Sequence, residues 1–310
     1  MSDLMATVDG YLALRHALGA KMHGARLYLS SLVNFMNSRA ASFITTPLAV
    51  EWATLPSDVS SAYHALRFRC VRQFASYMHA ADPRHEIPPS WLVPGRSRRA
   101  TPYLFSTTEL ESLLGAARAL ASPLGLLGAT HATVLGILAA TGMRVGEVTS
   151  LQDADVNYTE GTLTIRKTKF GKSRLVPLHQ TTIDAIGNYI RRRDTLIRPR
   201  RSEALFLSER GSGLKNCGVR RMFSKLVKRI GIATSPNGRL PRLHDLRHRF
   251  AIETLLGWYR RNVDAERRLP DLATYLGHAH TAETYWYLRA VPELLSLAAR
   301  RLETSAEATR

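Results

Sequence analysis

Four side chains that can act on a phosphate ester stand within the segment from Leu243 to Leu288: His244, Arg247, His278 and Tyr287. They fall in the words LHDLRHRFA and YLGHAHTAETYWYL. A guanidinium offers planar paired donors to phosphate oxygens, and a phenol can attack phosphorus to give a covalent ester. With two imidazoles beside them, the set suits phosphate chemistry better than a metal site. Something must hold these groups together. If His244 and Arg247 share a helix, their spacing of three puts both on one face. Taken singly, each has an ordinary reading as a surface or structural residue. Tyr285, Trp286 and Tyr287 fit an aromatic helix packed into a core equally well.

A second motif lies about a hundred residues upstream, AATGMRVGEVTSL, from Ala139 to Leu151. Arg144 follows a Thr-Gly turn and opens a new helical pattern. Near a helix start, its side chain and free backbone N–H groups could share one anion. Glu147, one turn later, can reach Arg144, either orienting it or forming a plain surface pair.

These words together resemble the tyrosine recombinase, or phage integrase, family. The first box, T-G-hydrophobic-R-x-x-E, is matched by Thr141, Gly142, Met143, Arg144 and Glu147. The second, H-x-L-R-H-x-x-A, is matched by His244, Leu246, Arg247, His248 and Ala251, followed by L-G-H at Leu276, Gly277 and His278. Tyr287 stands nine residues after His278, the interval that the family's nucleophile keeps. Tyr285 is the competing nucleophile. Two residues on a helix point roughly 200° apart, so only one of the pair can face the phosphate. The resemblance implies a mostly α fold with a small β-sheet, an α+β arrangement. It also implies a helical core-binding domain ahead of an integrase-type catalytic domain. A weaker likeness, in the T-Y-W-Y-L and V-P-E-L-L runs, is to a subgroup found with transposons and plasmids.

Composition agrees with this reading. Lys and Arg number 43 against 25 Asp and Glu, a formal charge of +18 over 310 residues, which favours a polyanionic partner. No apolar run approaches the roughly 20 residues that span a bilayer, so nucleic acid is preferred to a membrane surface. The amino terminus shows no basic stretch leading into an apolar one, hence no secretory signal. Cys70 and Cys217 are far apart and form no C-x-x-C pair. The expectation is a cytoplasmic protein, on the nucleoid when bound to DNA, without a disulfide framework or zinc site.

Taken in order, residues 1–92 read as the helical domain, with apolar positions at Tyr11, Leu14 and Leu18, then Leu29, Leu32, Val33 and Met36. A third helix over 60–80 would bury Tyr63, Leu66, Val71, Phe74 and Met78. Between them fall Arg67, Arg69 and Arg72, of which Arg67 and Arg72 are candidate phosphate contacts. Residues 93–105 form an extended basic linker, carrying Arg96, Arg98 and Arg99 among prolines. The catalytic domain, 106–303, opens with the capping box Ser106-Thr-Thr-Glu109. A helix over 131–140 follows, breaking at Gly142. Strands over 162–168 and 173–178 make a hairpin bearing Lys167, Lys169 and Lys172.

In the family a lysine on this hairpin protonates the departing 5′ oxygen. Aligning Arg174-Leu175-Val176-Pro177-Leu178 with the R-x-V-P-L segment favours Lys169, with Lys172 as the alternative. Lys172 and Arg174 are also candidate DNA contacts. A helix over 181–197 ends in Arg191-Arg192-Arg193, and a short strand is expected over 204–207. A helix over 218–230 adds Arg220 and Arg221 as candidate DNA contacts. Past the tyrosine, Leu294, Leu295, Leu297 and Ala298 could dock on a neighbouring protomer or pack on their own domain. Residues 304–310 read as a flexible tail.

By the resemblance, Tyr287 would attack a phosphodiester held by Arg144 and Arg247, with His278 hydrogen-bonded to the same phosphate. His244 would take the phenol proton, directly or through water, and Lys169 would protonate the leaving 5′ hydroxyl. The product would be a 3′-phosphotyrosyl enzyme, formed without cofactor, nucleotide or metal. The implied partners are double-stranded DNA and further copies of the chain, a tetramer assembled on DNA, with accessory or directionality proteins. Two alternatives keep the same residues: a relaxing enzyme of the type IB topoisomerase kind, and a non-catalytic DNA-binding accessory protein.

Overall fold

The computed structural model describes residues 4–20, 22, 24–95, 101–166, 173–234, 238–278, 280–290 and 293–297. The chain divides into two compact units, Met1–Ala100 and Thr101–Arg310. Lys167, Lys169, Lys172, Arg96, Arg98, Arg99 and Ala298 lie outside the described residues. Among those described, no helix is long and apolar enough to cross a membrane.

Among the described residues the first unit has four helices: α1 (Leu4–Ala17), α2 (Ala25–Ser38), α3 (Thr46–Thr54) and α4 (Ser61–Ala81). Its core gathers Val8, Tyr11, Leu29, Leu32, Met36, Trp52, Val71 and Phe74. On α2 the expected stripe is the buried one. At α1 only Tyr11 of the expected stripe is buried, joined by Val8 and Leu12, while Leu14 and, just past the helix, Leu18 are exposed. Helix α3, unmarked by any sequence motif, carries Trp52 into the core. That tryptophan turns the buried face of α4 towards Arg67 and Phe68, leaving Leu66 exposed. Val93, at the start of the expected linker, packs into this core, whereas Phe105 packs into the core of the second unit.

Helix α5 (Thr107–Arg118) opens the second unit. Ser106 Oγ accepts from the Glu109 N–H at 3.1 Å and the Glu109 carboxylate accepts from the Ser106 N–H at 2.8 Å. This reciprocal pairing satisfies backbone donors that the first turn cannot use. Helix α6 (Leu126–Thr141) is apolar on nearly all sides and runs through the core, against α5, α8 (Gln180–Leu196) and α10 (Asp245–Arg260). It stops at Gly142, whose φ of 62° costs a glycine little. The five-residue α7 (Val145–Thr149) follows directly.

A three-stranded antiparallel sheet in the order β1-β2-β3 comes next, from β1 (Val156–Asn157), β2 (Thr162–Ile165) and β3 (Arg174–Pro177). Leu163 and Ile165 point into the core and alternate with Thr162 and Thr164, the period of a half-buried strand. Beyond the expected hairpin, β1 adds a third strand. Residues 204–207 form no strand. Gln152–Ala204 and Leu207–Gly213 are isolated bridges, although Leu205, Phe206 and Leu207 are buried.

After α9 (Asn216–Arg229), helices α10, α11 (Ala265–Leu276) and α12 (Ala282–Ala290) enclose a smaller core of Ala251, Ile252, Leu255, Leu272, Leu276, Tyr287 and Leu294. Leu294 packs within its own chain, while Leu295 is exposed.

Candidate active site

Two helix ends bring the first arginines together. Gly142 ends α6 and Gly277, with φ of 67°, ends α11, and the last carbonyls of a helix lack intrahelical partners. Arg247, on the first turn of α10, donates from Nη1 to the Gly142 carbonyl and from Nη2 to the Leu276 carbonyl, each at 2.8 Å. Arg144, at the N-cap of α7, donates from Nη2 to the Gly277 carbonyl at 2.8 Å and from Nη1 to that of Leu276 at 3.4 Å. The two guanidiniums therefore meet at one carbonyl oxygen. Arg247 is buried, and burial followed by the charge of Arg144 lowers its pKa to about 10, so it stays cationic at neutral pH. The Arg144 side chain keeps 35% of its surface in solvent, where an anion can reach it.

Beneath them lies one carboxylate. Glu147 receives Arg174 Nη2 on Oε2 at 2.8 Å and Arg174 Nη1 on Oε1 at 3.1 Å. It also receives Arg144 Nη1 at 3.1 Å and the Arg144 backbone N–H at 2.9 Å. Burial pushes its pKa up, but the bonds from Arg174 and Arg144 outweigh that and hold it below the usual carboxylate range. Arg174 also donates from Nε to the Tyr275 carbonyl at 2.8 Å. Two expectations are corrected here. The Arg144 backbone N–H is taken by Glu147 and is not open to share a bound anion. Arg174, expected as a DNA contact, directs its guanidinium to Glu147 and to the Tyr275 carbonyl of α11.

His244 caps α10 beside these charges. Its ring reaches solvent on one side while packed atoms crowd the other. That desolvation, followed by Arg247, Arg144, Arg242 and Arg220, lowers its pKa to about 4, leaving a neutral imidazole at neutral pH. His278, one residue past Gly277, pairs its Nδ1 with the buried Thr284 hydroxyl at 2.7 Å. Tyr287 is 2% exposed and Tyr285 47%, so the two tyrosines face opposite ways, as their spacing requires. The His278 ring stacks on that of Tyr287 with centroids 6.2 Å apart. The imidazole at the Tyr287 hydroxyl is that of His248, through Nδ1 at 3.2 Å, where His244 had been expected. His248 stands between the two, its ring meeting that of His244 edge-on at 4.7 Å. One helical turn separates the two histidines, and the inner one reaches the phenol.

The remaining candidate DNA contacts divide. Arg67 is buried, with its guanidinium 3.9 Å from the Trp52 ring centroid and Nη2 donating to the Trp52 carbonyl at 2.7 Å. It belongs to the core of its unit and not to a phosphate. Arg72 is half-buried and donates to the Pro88 carbonyl at 2.9 Å. Arg220 and Arg221 are exposed on α9. Of the Arg191 to Arg193 run, Arg193 is fully buried and grips Asp153 through both terminal nitrogens, at 2.7 and 2.9 Å.

The profile of the phage integrase family matches residues 104–293. Over 307 residues the chain is 42% identical to "Putative integrase/recombinase y4rB" of Sinorhizobium fredii (strain NBRC 101917 / NGR234), covering 98% of each. The chain belongs to the phage integrase family. It is a tyrosine-type site-specific recombinase. Among solved structures, the Tn1549 transposon integrase in complex with transposon right end DNA shares the fold, with a TM-score of 0.69 at 17% identity, covering 98% of this chain and 99% of that one. The XerH site-specific recombinase bound to palindromic difH substrate matches with a TM-score of 0.67 at 22% identity, covering 93% and 82%.

Three parts of this recombinase site escaped the sequence reading: Arg174 as the partner of Glu147, Thr284 as the partner of His278, and His248 at the phenol. His248 stood inside the quoted H-x-L-R-H-x-x-A box, and its spacing from His244 was the available signal.

Proposed function

We propose that this recombinase cuts and rejoins DNA strands through a covalent 3′-phosphotyrosyl bond to Tyr287, in the service of mobile-element integration or transposition. The observation that carries the reading is the meeting of Arg144 and Arg247 at the Leu276 carbonyl, with the His278 and Tyr287 rings following in the same segment. The shared carbonyl holds the two guanidiniums side by side, and each has more N–H donors than these bonds use, so the remaining donors can take non-bridging phosphate oxygens. Fixed donors at developing charge typically lower a barrier by about 3 kcal/mol.

In this reading Arg144 meets the phosphate from solvent and Arg247 adds charge from below. His278 and the neutral His244 imidazole complete the hydrogen bonding, and a lysine, Lys169 before Lys172, protonates the leaving 5′ oxygen. The ester retains the bond energy, so a second 5′ hydroxyl can reseal the strand. The charge of +18 supports a DNA partner. The Tn1549 integrase is bound to transposon right end DNA and XerH to palindromic difH substrate, which supports the same class of partner here. Strand exchange between two duplexes requires several copies of the chain on the DNA.

The test uses a duplex nicked just 3′ of the cleavable phosphate, recovered from a randomised pool by covalent capture on the wild-type protein. The short 5′-hydroxyl fragment diffuses away and traps the adduct. An SDS-resistant adduct with wild type and Tyr285→Phe, absent with Tyr287→Phe, is the expected result. An adduct that survives Tyr287→Phe overturns the assignment.

A further inference from the structure

We infer that His248 is the immediate proton acceptor for the Tyr287 nucleophile, a catalytic residue in addition to His244. The inference rests on Tyr287 being the nucleophile. Its geometric basis is direct: His248 Nδ1 lies 3.2 Å from the Tyr287 hydroxyl, within the reach required of a general base.

The surroundings fix that contact. The His248 ring is 5.5 Å from the Tyr287 ring and 5.4 Å from that of Trp286, and His278 stacks on the Tyr287 ring. Tyr287 is 2% exposed, so bulk water does not stand in as the base. Beyond His248, the edge-on His244 ring carries the contact out to the surface, where a proton can leave. His244 and His248 lie four residues apart on α10, and a one-turn pair of this kind gives an inner base and an outer exit.

The step balances. The phenol O–H bond breaks, its proton goes to His248 Nδ1, and the phenolate oxygen forms a bond to phosphorus. The bond from phosphorus to the 5′ oxygen breaks, and the leaving oxygen takes a proton from the hairpin lysine. In resealing, a 5′ hydroxyl bonds to phosphorus and returns its proton to that lysine, while the bond to the tyrosyl oxygen breaks and the phenolate recovers its proton from His248.

His248→Asn separates basicity from hydrogen bonding, because the amide oxygen falls near the place of Nδ1 and accepts the bond but not the proton. The expected result is covalent capture of the nicked duplex slowed at least 100-fold, with wild-type DNA binding and melting temperature. Incorporating 3,5-difluorotyrosine at position 287, whose phenol is more acidic than that of tyrosine, should restore most of the lost rate. A change in packing would not be repaired that way. For the case in which His248→Asn does not fold, His248→Gly with added imidazole gives the second readout, and rescue by imidazole is expected. Capture by His248→Asn at the wild-type rate, or slow capture that neither fluorination nor imidazole restores, overturns the inference. Tyr287→Phe runs alongside, and an adduct there would instead sink the nucleophile assignment itself.

Discussion

Arg174 places its two terminal nitrogens on the two oxygens of Glu147, at 2.8 and 3.1 Å, and the same carboxylate also takes the side chain and backbone N–H of Arg144. A buried acid thus joins strand β3 to the arginine expected to hold the phosphate. Removing the acid leaves Arg174, only 12% exposed, without a counter-charge. Loss of one partner of a buried pair costs about 3–5 kcal/mol. Glu147→Ala should lower the stability of the second unit by about 3 kcal/mol. Arg174→Met should lose less when added to it than alone, and a double-mutant cycle in urea reads the coupling.

Gly277 is held by more than its backbone angle. A Cβ built there would stand 2.8 Å from Arg174 Nη1, 3.1 Å from its Cζ and 3.4 Å from Arg144 Nη1. Gly161 has a similar φ of 62° but nothing nearer than 3.6 Å. Both Gly→Ala changes should cost about 1 kcal/mol in backbone strain. Only Gly277→Ala should also cut the rate of covalent capture, by at least 10-fold, because it displaces the Arg174 guanidinium that shares Glu147 with Arg144. Equal capture rates for the two variants would refute this.

Arg67 is buried against Trp52. With its charge over Trp52 and its stem buried, Arg67→Ala should lower the stability of the first unit by about 2 kcal/mol. The slope of DNA affinity against salt should stay unchanged, since that slope counts phosphates neutralised. Thermal melting and binding at several salt concentrations read the two effects separately.

The His244 pKa, lowered to about 4 by desolvation and then by four arginines, has a signed consequence. Between its ordinary value of 6.5 and about 4, the unfolded chain binds a proton at this site that the folded one does not. His244 therefore works against folding as pH falls through that window and has no such effect above it. NMR titration of its ring protons should give a midpoint well below 6.5 in the free protein. With DNA bound the midpoint should rise, because phosphate offsets the arginine charge.

Tyr285 and Tyr287 differ in exposure, 47% against 2%, and this can be read chemically. Nitration of the free protein should modify Tyr285 first and Tyr287 slowly. Mapping the modified peptides by mass spectrometry checks it, and preferential loss of Tyr287 would contradict the packing described here.

The sequence by itself determined the local pieces. The Ser106–Glu109 box, the stop at Gly142, the i,i+3 face of His244 and Arg247, and the opposed tyrosines all depend on contacts within a few residues. The family boxes are spacings of the same short range, which is why chain order alone led to the phage integrase family. What tertiary structure decided was where each charge ends up. Arg144 meets carbonyls 132 and 133 residues away, and Arg247 one 105 residues away. Arg174, Arg67 and Arg193 read in the sequence like surface cations, yet each is withdrawn from solvent onto a partner in another element, a carboxylate or the Trp52 ring and carbonyl. The same holds for His248, whose place at the Tyr287 hydroxyl depends on how α12 packs against α10. Helix and turn propensities act over a single turn. The partner of a long cationic side chain is chosen by the burial of whole faces, and neighbouring residues do not encode it.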